Sequence, residues 1–366
     1  MVSTLILGAG INGLFSAFML RKAGLEVHLL DQGDTGKESS WAGAGILSLL
    51  LPWHYDANIN ALAQRGRALW PSAATRLGTA SGINPEYWRC GMLVLDPDHR
   101  EAALNWCGAH NETLDRLPLD LRAKFPERRH QSEPLYLPEV AQARNPRIMQ
   151  ALREAAIRAG VILHERTRAD RLLTQGGRVI GVDTVSGRFT ADSVVVAAGA
   201  WSGGLLSELS MAPEIWPVRG QIMLFKSTPG LLPCVVYRRG HYLVPRLDGH
   251  ILVGSTLEEA GFDKRTTAEA RAELLDFAYT TLPVLRDAEI VTQWAGLRPG
   301  SHGNLPFIGR HPEFENLYVN SGHFRYGVTM APAAAEVLLE SMLGQPAGID
   351  VRPYAWQARV NPQTGC

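Results

Sequence analysis

The first thirty residues leave this chain little choice of fold. Thr4-Leu5-Ile6-Leu7 is a short apolar run of the buried-strand type, and it passes directly into Gly8-Ala9-Gly10-Ile11-Asn12-Gly13. A helix is expected next, with Leu14, Phe15, Ala17, Phe18 and Leu20 on its apolar face and Gly24 as its stop, before Val27 to Asp31 reads as a second strand. In a chain with 36 glycines the glycine spacing alone says little. Set between a strand and a helix, with an acidic residue 18 positions after Gly13, it specifies a βαβ unit built to hold a dinucleotide.

Each residue of that turn has a physical task. Gly8 permits the tight turn, Gly10 lets the main chain approach a pyrophosphate, and Gly13 lets the helix pack close to the strand. The helix N-terminus at Ile11 and Asn12 offers free N–H groups and the positive end of its dipole to the phosphates. Asp31 can accept hydrogen bonds from an adenosine ribose, with Gln32 beside it, and an acidic residue there disfavours a 2′-phosphate. NAD and FAD remain as candidates. The run Gly36 to Leu47, rich in Gly, Ala and Ser, would let a flat ring lie against the main chain while Ser39 or Ser40 donates to phosphate, although a flexible loop has the same composition.

Composition narrows the partners. At 366 residues the chain exceeds the roughly 100 to 200 of one domain, so two are expected. Lys+Arg and Asp+Glu both number 36, so no whole-molecule field draws the chain to nucleic acid or an anionic membrane. No apolar run approaches the ~18 residues that would span a bilayer. Cys90, Cys107, Cys234 and Cys366 form no CxxC pair, which argues against zinc, a redox dithiol or a disulfide scaffold and favours a reducing, cytoplasmic setting. His54, His302 and His323 are scattered without ligand spacing, so no metal is expected.

Further along, Arg147 to Gly160 reads as an amphipathic helix, and Val161-Ile162-Leu163 and Val179 to Val182 read as strands around a Gly176-Gly177 turn. Asp192 to Ala200 is a second buried strand, ending in small residues as though a backbone must approach a ligand. Residues 217–257 and 289–295 alternate apolar and polar, as in an antiparallel sheet facing a cavity. Ala331 to Leu343 is the last clear helix.

Several motifs in this order resemble the FAD-dependent amine oxidases of the D-amino-acid oxidase superfamily, and most closely the glycine oxidases that serve thiamine thiazole synthesis. They are Gly8 to Gly13, Glu38 to Ile46, Pro52-Trp53-His54-Tyr55, Ala197 to Ser202, Pro217 to Gln221, Tyr242 to Arg246, Gly254-Ser255-Thr256, Trp294 to Pro299 and Gly322-His323-Phe324-Arg325. The resemblance implies an α/β, Rossmann-like FAD domain interleaved with a substrate domain on a mixed, largely antiparallel sheet. The divisions it suggests are 1–52, 142–216 and 296–366 for FAD, and 53–141 and 217–295 for substrate.

By the same resemblance Arg298 and Tyr242 clamp a substrate carboxylate, and Arg325 lies beside substrate and flavin. Ala44, Gly45 and Ile46 border the ring, and Ala198, Gly199, Trp201, Arg298, His323, Arg325, Tyr326 and Gly327 contribute to the cofactor site. The activity implied is oxidation of glycine and small N-methyl or D-amino acids, with oxygen as acceptor, and the assembly implied is a homo-oligomer. Ser39 to Leu47 contains no His and Arg298 to Gly309 no Cys, so FAD is expected without a covalent bond. The chain departs from the glycine-oxidase pattern at Tyr326, where an Asn is common, and in Gly300 to Pro306, which lacks an acidic residue. The alternative is a D-amino-acid oxidase or dehydrogenase acting on larger D-amino acids. On the residues alone, Arg298 suits a bidentate grip on a carboxylate, but a structural ion pair is the favoured reading, since most basic residues in such a chain are surface or structural.

Overall fold

Ser3–Leu7 (β1), Ile11–Lys22 (α1) and Glu26–Leu30 (β2) form the expected βαβ unit in a computed structural model that describes residues 3–125 and 132–356. Leu5, Ile6 and Leu7 are almost fully buried, because β1 is central in a six-stranded sheet covered on both faces. β1 pairs in parallel with β2 on one side and with Ser193–Val196 on the other; Ile162–His164, Leu317–Ser321 and Phe307–Arg310 complete the sheet. α1 buries Leu14, Phe15, Ala17 and Leu20, while Phe18 is half-buried. Gly24 follows it in the left-handed region.

A seven-stranded sheet carries the other face of the site. Its order is Glu289–Ser301, Ile215–Lys226, Ile251–Gly254, His241–Pro245, Val235–Arg238, Met92–Leu95 and Leu135–Leu137. Pairing is antiparallel except between Val235–Arg238 and Met92–Leu95. The two longest strands, Ile215–Lys226 and Glu289–Ser301, run unbroken through positions 216/217 and 295/296.

The structure corrects three readings of the sequence. Ile162–His164 does not flank the Gly176-Gly177 turn but joins the large parallel sheet beside β2, and the arm that pairs with Arg178–Thr184 is Ala169–Gln175. That arm is mostly solvent-facing and polar, so it carries little apolar signal. The buried strand near 192 is only Ser193–Val196; Gly199–Trp201 is a 3-10 turn. The last helix begins earlier, as Gly327–Leu343, with Pro332 inside it.

A long helix that the sequence did not reveal, Ala57–Ser81, packs on Gly327–Leu343. Pro71 in its interior disguises it, since proline lacks the N–H that a helix interior uses. Cys90, Cys107 and Cys234 are buried, and Cys366 lies outside the described residues. Among the described residues no helix is long and apolar enough to cross a membrane, and no three His, Cys, Asp or Glu residues are grouped to hold a metal.

Candidate active site

The glycine turn is tighter than its spacing alone requires. A Cβ on Gly8 would lie 2.5 Å from the Ala197 carbonyl oxygen, and one on Gly13 would lie 1.9 Å from the Gly8 oxygen. Both positions exclude any side chain. Gly10 is different: a Cβ there would meet only Ser40 Oγ, at 3.2 Å, so its bareness serves the space in front of the turn. The Ile11 N–H donates to Ser40 Oγ at 2.9 Å, which leaves the Ser40 hydroxyl proton to donate elsewhere. Asn12 and Gly13, in the first helical turn, have no helical carbonyl to donate to.

Asp31 does more than the sequence reading allotted to it. Its two carboxylate oxygens accept from the Ala9 N–H at 2.7 Å and the Gly33 N–H at 2.8 Å, so it braces the glycine turn as well as facing the cavity. Burial pushes its pKa up, and those two hydrogen bonds oppose the rise. Each oxygen retains acceptor capacity for a hydroxyl pair.

Every candidate residue named from the sequence lines one cavity of about 530 Å³ except Gly13, which lies behind the first turn as a packing position. That volume falls within the ~300 to 1,000 Å³ usual for ligand sites. The run 38–46 is held and not flexible: Asn145 Nδ2 donates to the Ser40 oxygen at 2.6 Å, and the Ala143 N–H to the Gly45 oxygen at 2.9 Å. Gly45 has φ +74°, and a Cβ there would lie 1.9 Å from the Ala143 oxygen. The small residues therefore answer to the chain behind them as well as to a ring in front.

At the far end, sheet register builds a cationic pocket. Arg298 lies opposite Val218, and Gly220, two residues along, shares that face. Ile222 and Tyr242 both pair with Gly254 and therefore share it too. The Arg298 guanidinium lies on Gly220, where a Cβ would come within 2.0 Å of it. Tyr242 crosses Gly254, where a Cβ would come within 2.9 Å of its ring.

Arg298 Nη2 donates to Ser255 Oγ at 2.8 Å, and Nη1 to the Thr256 oxygen at 3.1 Å. Burial pushes its pKa down, Tyr242 beside it opposes that, and Arg325 adds to it. Among the described residues no carboxylate lies within 4.0 Å of Arg298. The structural ion pair belongs instead to Arg219, which holds Glu258 at 2.6 Å. An alanine at 220 should therefore push the Arg298 fork out of place. Gly220→Ala is expected to keep FAD and to raise KM for an amino acid at least tenfold, read by steady-state kinetics beside flavin absorbance.

Arg325 faces the hydroxyls of Tyr326, Tyr55, Tyr242 and Tyr237, and these neighbours more than offset its burial, so its pKa is raised. Tyr326 Oη donates to Tyr55 Oη at 2.5 Å, with the rings edge to face at 5.2 Å. His323 is wholly buried, which drives its pKa down to about 3 and keeps it neutral. Asn12 Nδ2 lies 3.2 Å from His323 Nδ1; as a pure donor it leaves the ring proton on Nε2. His323 Nε2 and Asn12 Oδ1 are buried and find no partner among the described residues. Two orphaned polar atoms beside a glycine turn fit a polar cofactor that completes them.

His54 and His302 take no part in this cavity; His302 pairs with Glu214 at the surface. Sequence reasoning missed Ser255, which fixes the Arg298 fork, and Tyr55, which meets Tyr326, although both lie in motifs it singled out. It also missed Phe262, whose ring lies 5.5 Å from that of Trp201. Nothing local marks that loop residue.

The chain matches the family described as FAD dependent oxidoreductase over residues 3–341. It is 41% identical to a glycine oxidase of Pseudomonas aeruginosa, across 97% of this chain and 98% of that one. It is 31% identical to a bifunctional ThiO/ThiG protein of Trichormus variabilis across 93% of this chain and 52% of that protein. The crystal structure of glycine oxidase from Geobacillus kaustophilus superposes with a TM-score of 0.90 at 27% identity, covering 99% of this chain and 100% of that one. A glycine turn, two orphaned polar atoms and a cation with no carboxylate beside it among the described residues thus sit in one cavity of a chain that belongs to the FAD dependent oxidoreductase family.

Proposed function

We propose that the protein oxidises glycine and small N-methyl or D-amino acids, and that the residues assigned above perform the work. The observation that carries this reading is Arg298, a half-buried guanidinium at the cavity wall with neutral hydrogen-bond partners and, among the described residues, no carboxylate within 4.0 Å. A buried cation without a counter-charge is costly. A substrate carboxylate supplies that charge, taken bidentately by the fork, while the Tyr242 hydroxyl donates to a remaining lone pair.

Bound FAD supplies the hydride acceptor, at N5 of its ring. The chain contributes orientation: Arg298 and Tyr242 fix the carboxylate end, so the α-carbon bearing a neutral amine is presented to the ring without an obligatory side-chain base. Loss of hydride from the neutral amine gives a protonated imine, which water converts to an oxo acid and ammonia, or methylamine from an N-methyl substrate; oxygen as final acceptor of the two electrons, with two protons, gives hydrogen peroxide. The glycine turn, Asp31, Ser40 and the pair Asn12 and His323 hold the cofactor without a covalent bond. The Tyr326–Tyr55 contact closes one wall beside Arg325, which supports the small end of the substrate range.

The relatives' names support a role in thiamine thiazole synthesis, with the imine as the useful product. We also propose the division into a FAD-binding domain of 1–52, 142–216 and 296–366 and a substrate domain of 53–141 and 217–295, a cytoplasmic location and a homo-oligomeric state. The test is anaerobic mixing with glycine, with sarcosine and D-alanine in parallel. Glycine is expected to bleach the oxidised flavin band. Bleaching by D-alanine and larger D-amino acids alone would favour a D-amino-acid oxidase or dehydrogenase instead.

A further inference from the structure

Behind the cavity wall formed by residues 42–46 lies another buried cation. Arg246 directly follows the strand His241–Pro245 that carries Tyr242, and only 6% of it is exposed. Its Nη2 donates to the Ala44 carbonyl oxygen at 2.8 Å, and its Nη1 to Gln142 Oε1 at 2.6 Å. Gln142 in turn donates from Nε2 to Cys90 Sγ at 3.4 Å. Among the described residues no carboxylate lies within 4.0 Å of Arg246. Burial lowers its pKa to about 10, so it stays charged at neutral pH.

Neutral oxygens alone make a poor return for burying a cation. The geometry of the peptide that Arg246 grips gives it a purpose. In a trans peptide the C=O and N–H point in opposite directions. Ala44 and Gly45 line the cavity and Arg246 does not. With the Ala44 oxygen drawn outward to Arg246, the Gly45 N–H of the same peptide turns towards the cavity, and it finds no acceptor among the described residues. A guanidinium one peptide behind that wall also favours whichever state of a bound ring carries more negative charge, and that is the reduced state.

We propose that Arg246 is a positioning residue for the flavin: it aims the Gly45 N–H into the cavity and sets a fixed positive charge behind it, tightening FAD binding and raising the flavin's reduction potential. The proposal rests on the cavity holding FAD and not on which amino acid is oxidised.

The test uses the holoenzyme and two variants. Arg246→Met removes charge and hydrogen bonds; Gln142→Glu keeps the arm on Ala44 but sets a carboxylate against the guanidinium. Midpoint potential is measured by dye-linked chemical reduction, without substrate, and FAD affinity by equilibrium dialysis. Arg246→Met is expected to loosen FAD at least about tenfold, as loss of a charge-assisted hydrogen bond implies, and to shift the potential negative. Gln142→Glu is expected to shift the potential the same way with FAD retained. A merely structural Arg246 would lower the melting temperature and leave the potential of flavin-loaded protein at the wild-type value; that result overturns the proposal. If Arg246→Met does not fold, an unchanged potential in Gln142→Glu overturns it equally. A wild-type protein that binds no FAD would overturn it together with the cofactor assignment, whereas a yellow enzyme that glycine fails to bleach refutes only the substrate.

Discussion

Arg298→Ala should purify yellow, fold normally and turn over glycine poorly. Among the described residues the guanidinium makes no ion pair, so its loss strands no carboxylate there. What is lost is the partner of the substrate's own charge, in a pocket where Ser255, Thr256 and Tyr242 remain. Deleting one side of a buried charged pair costs about 2 to 5 kcal/mol, or roughly 30- to 4,000-fold in kcat/KM. Most of the loss should appear in KM, since the carboxylate is held in ground and transition state alike. The control is an uncharged glycine amide, whose already slow oxidation should change little between wild type and variant. Wild-type kcat/KM for glycine in the variant would remove Arg298 from the site.

Gly13→Ala should abolish flavin binding even though residue 13 does not line the cavity. The added methyl would lie 1.9 Å from the Gly8 oxygen, and nothing flexible can yield, because that oxygen belongs to a turn closed by the Gly8 N–H on Leu30 at 2.7 Å. Either the helix lifts from the strand or the turn opens, and both displace the N–H groups proposed to face the phosphates. Overpacking of this kind costs about 1 to 3 kcal/mol or more. Gly10→Ala, facing only Ser40 Oγ at 3.2 Å, should remain partly yellow, whereas Gly10→Val, which fills the approach itself, should not. Absorbance at the flavin band relative to protein, with a melting curve for each variant, distinguishes the three. A fully yellow Gly13→Ala would refute the packing argument.

The glycine turn was legible in the sequence because strand, turn and helix are contiguous and each obeys its own period. Long-range register was not. Arg219 and Arg298 are both arginines in apolar strands, and nothing nearby in sequence says that Glu258 pairs with the first and leaves the second open. That follows from Val218 lying opposite Arg298, which puts Arg219 on the other face of the sheet. The resemblance to known oxidases carried that information where pattern could not. The helix Ala57–Ser81 escaped for the opposite reason, a local signal that misleads, since Pro71 and Gly66 both argue against a helix that packing nonetheless supports. Asp31 was found, but its bracing hydrogen bonds to Ala9 and Gly33 depend on the folded turn.

That long helix has a consequence for how the protein comes apart. Gly66 approaches the helix Gly327–Leu343 so closely that a Cβ would lie 2.2 Å from the Thr329 oxygen, and the buried Trp70 indole donates to the Val328 oxygen at 3.0 Å. A segment between the first and second cofactor-binding stretches is thus keyed into the backbone of the last one, at the turn that also bears Arg325 and Tyr326. The two helices are therefore expected to loosen together, so that a larger residue at 66 should disturb the Arg325–Tyr326 turn as well as the helix that bears it.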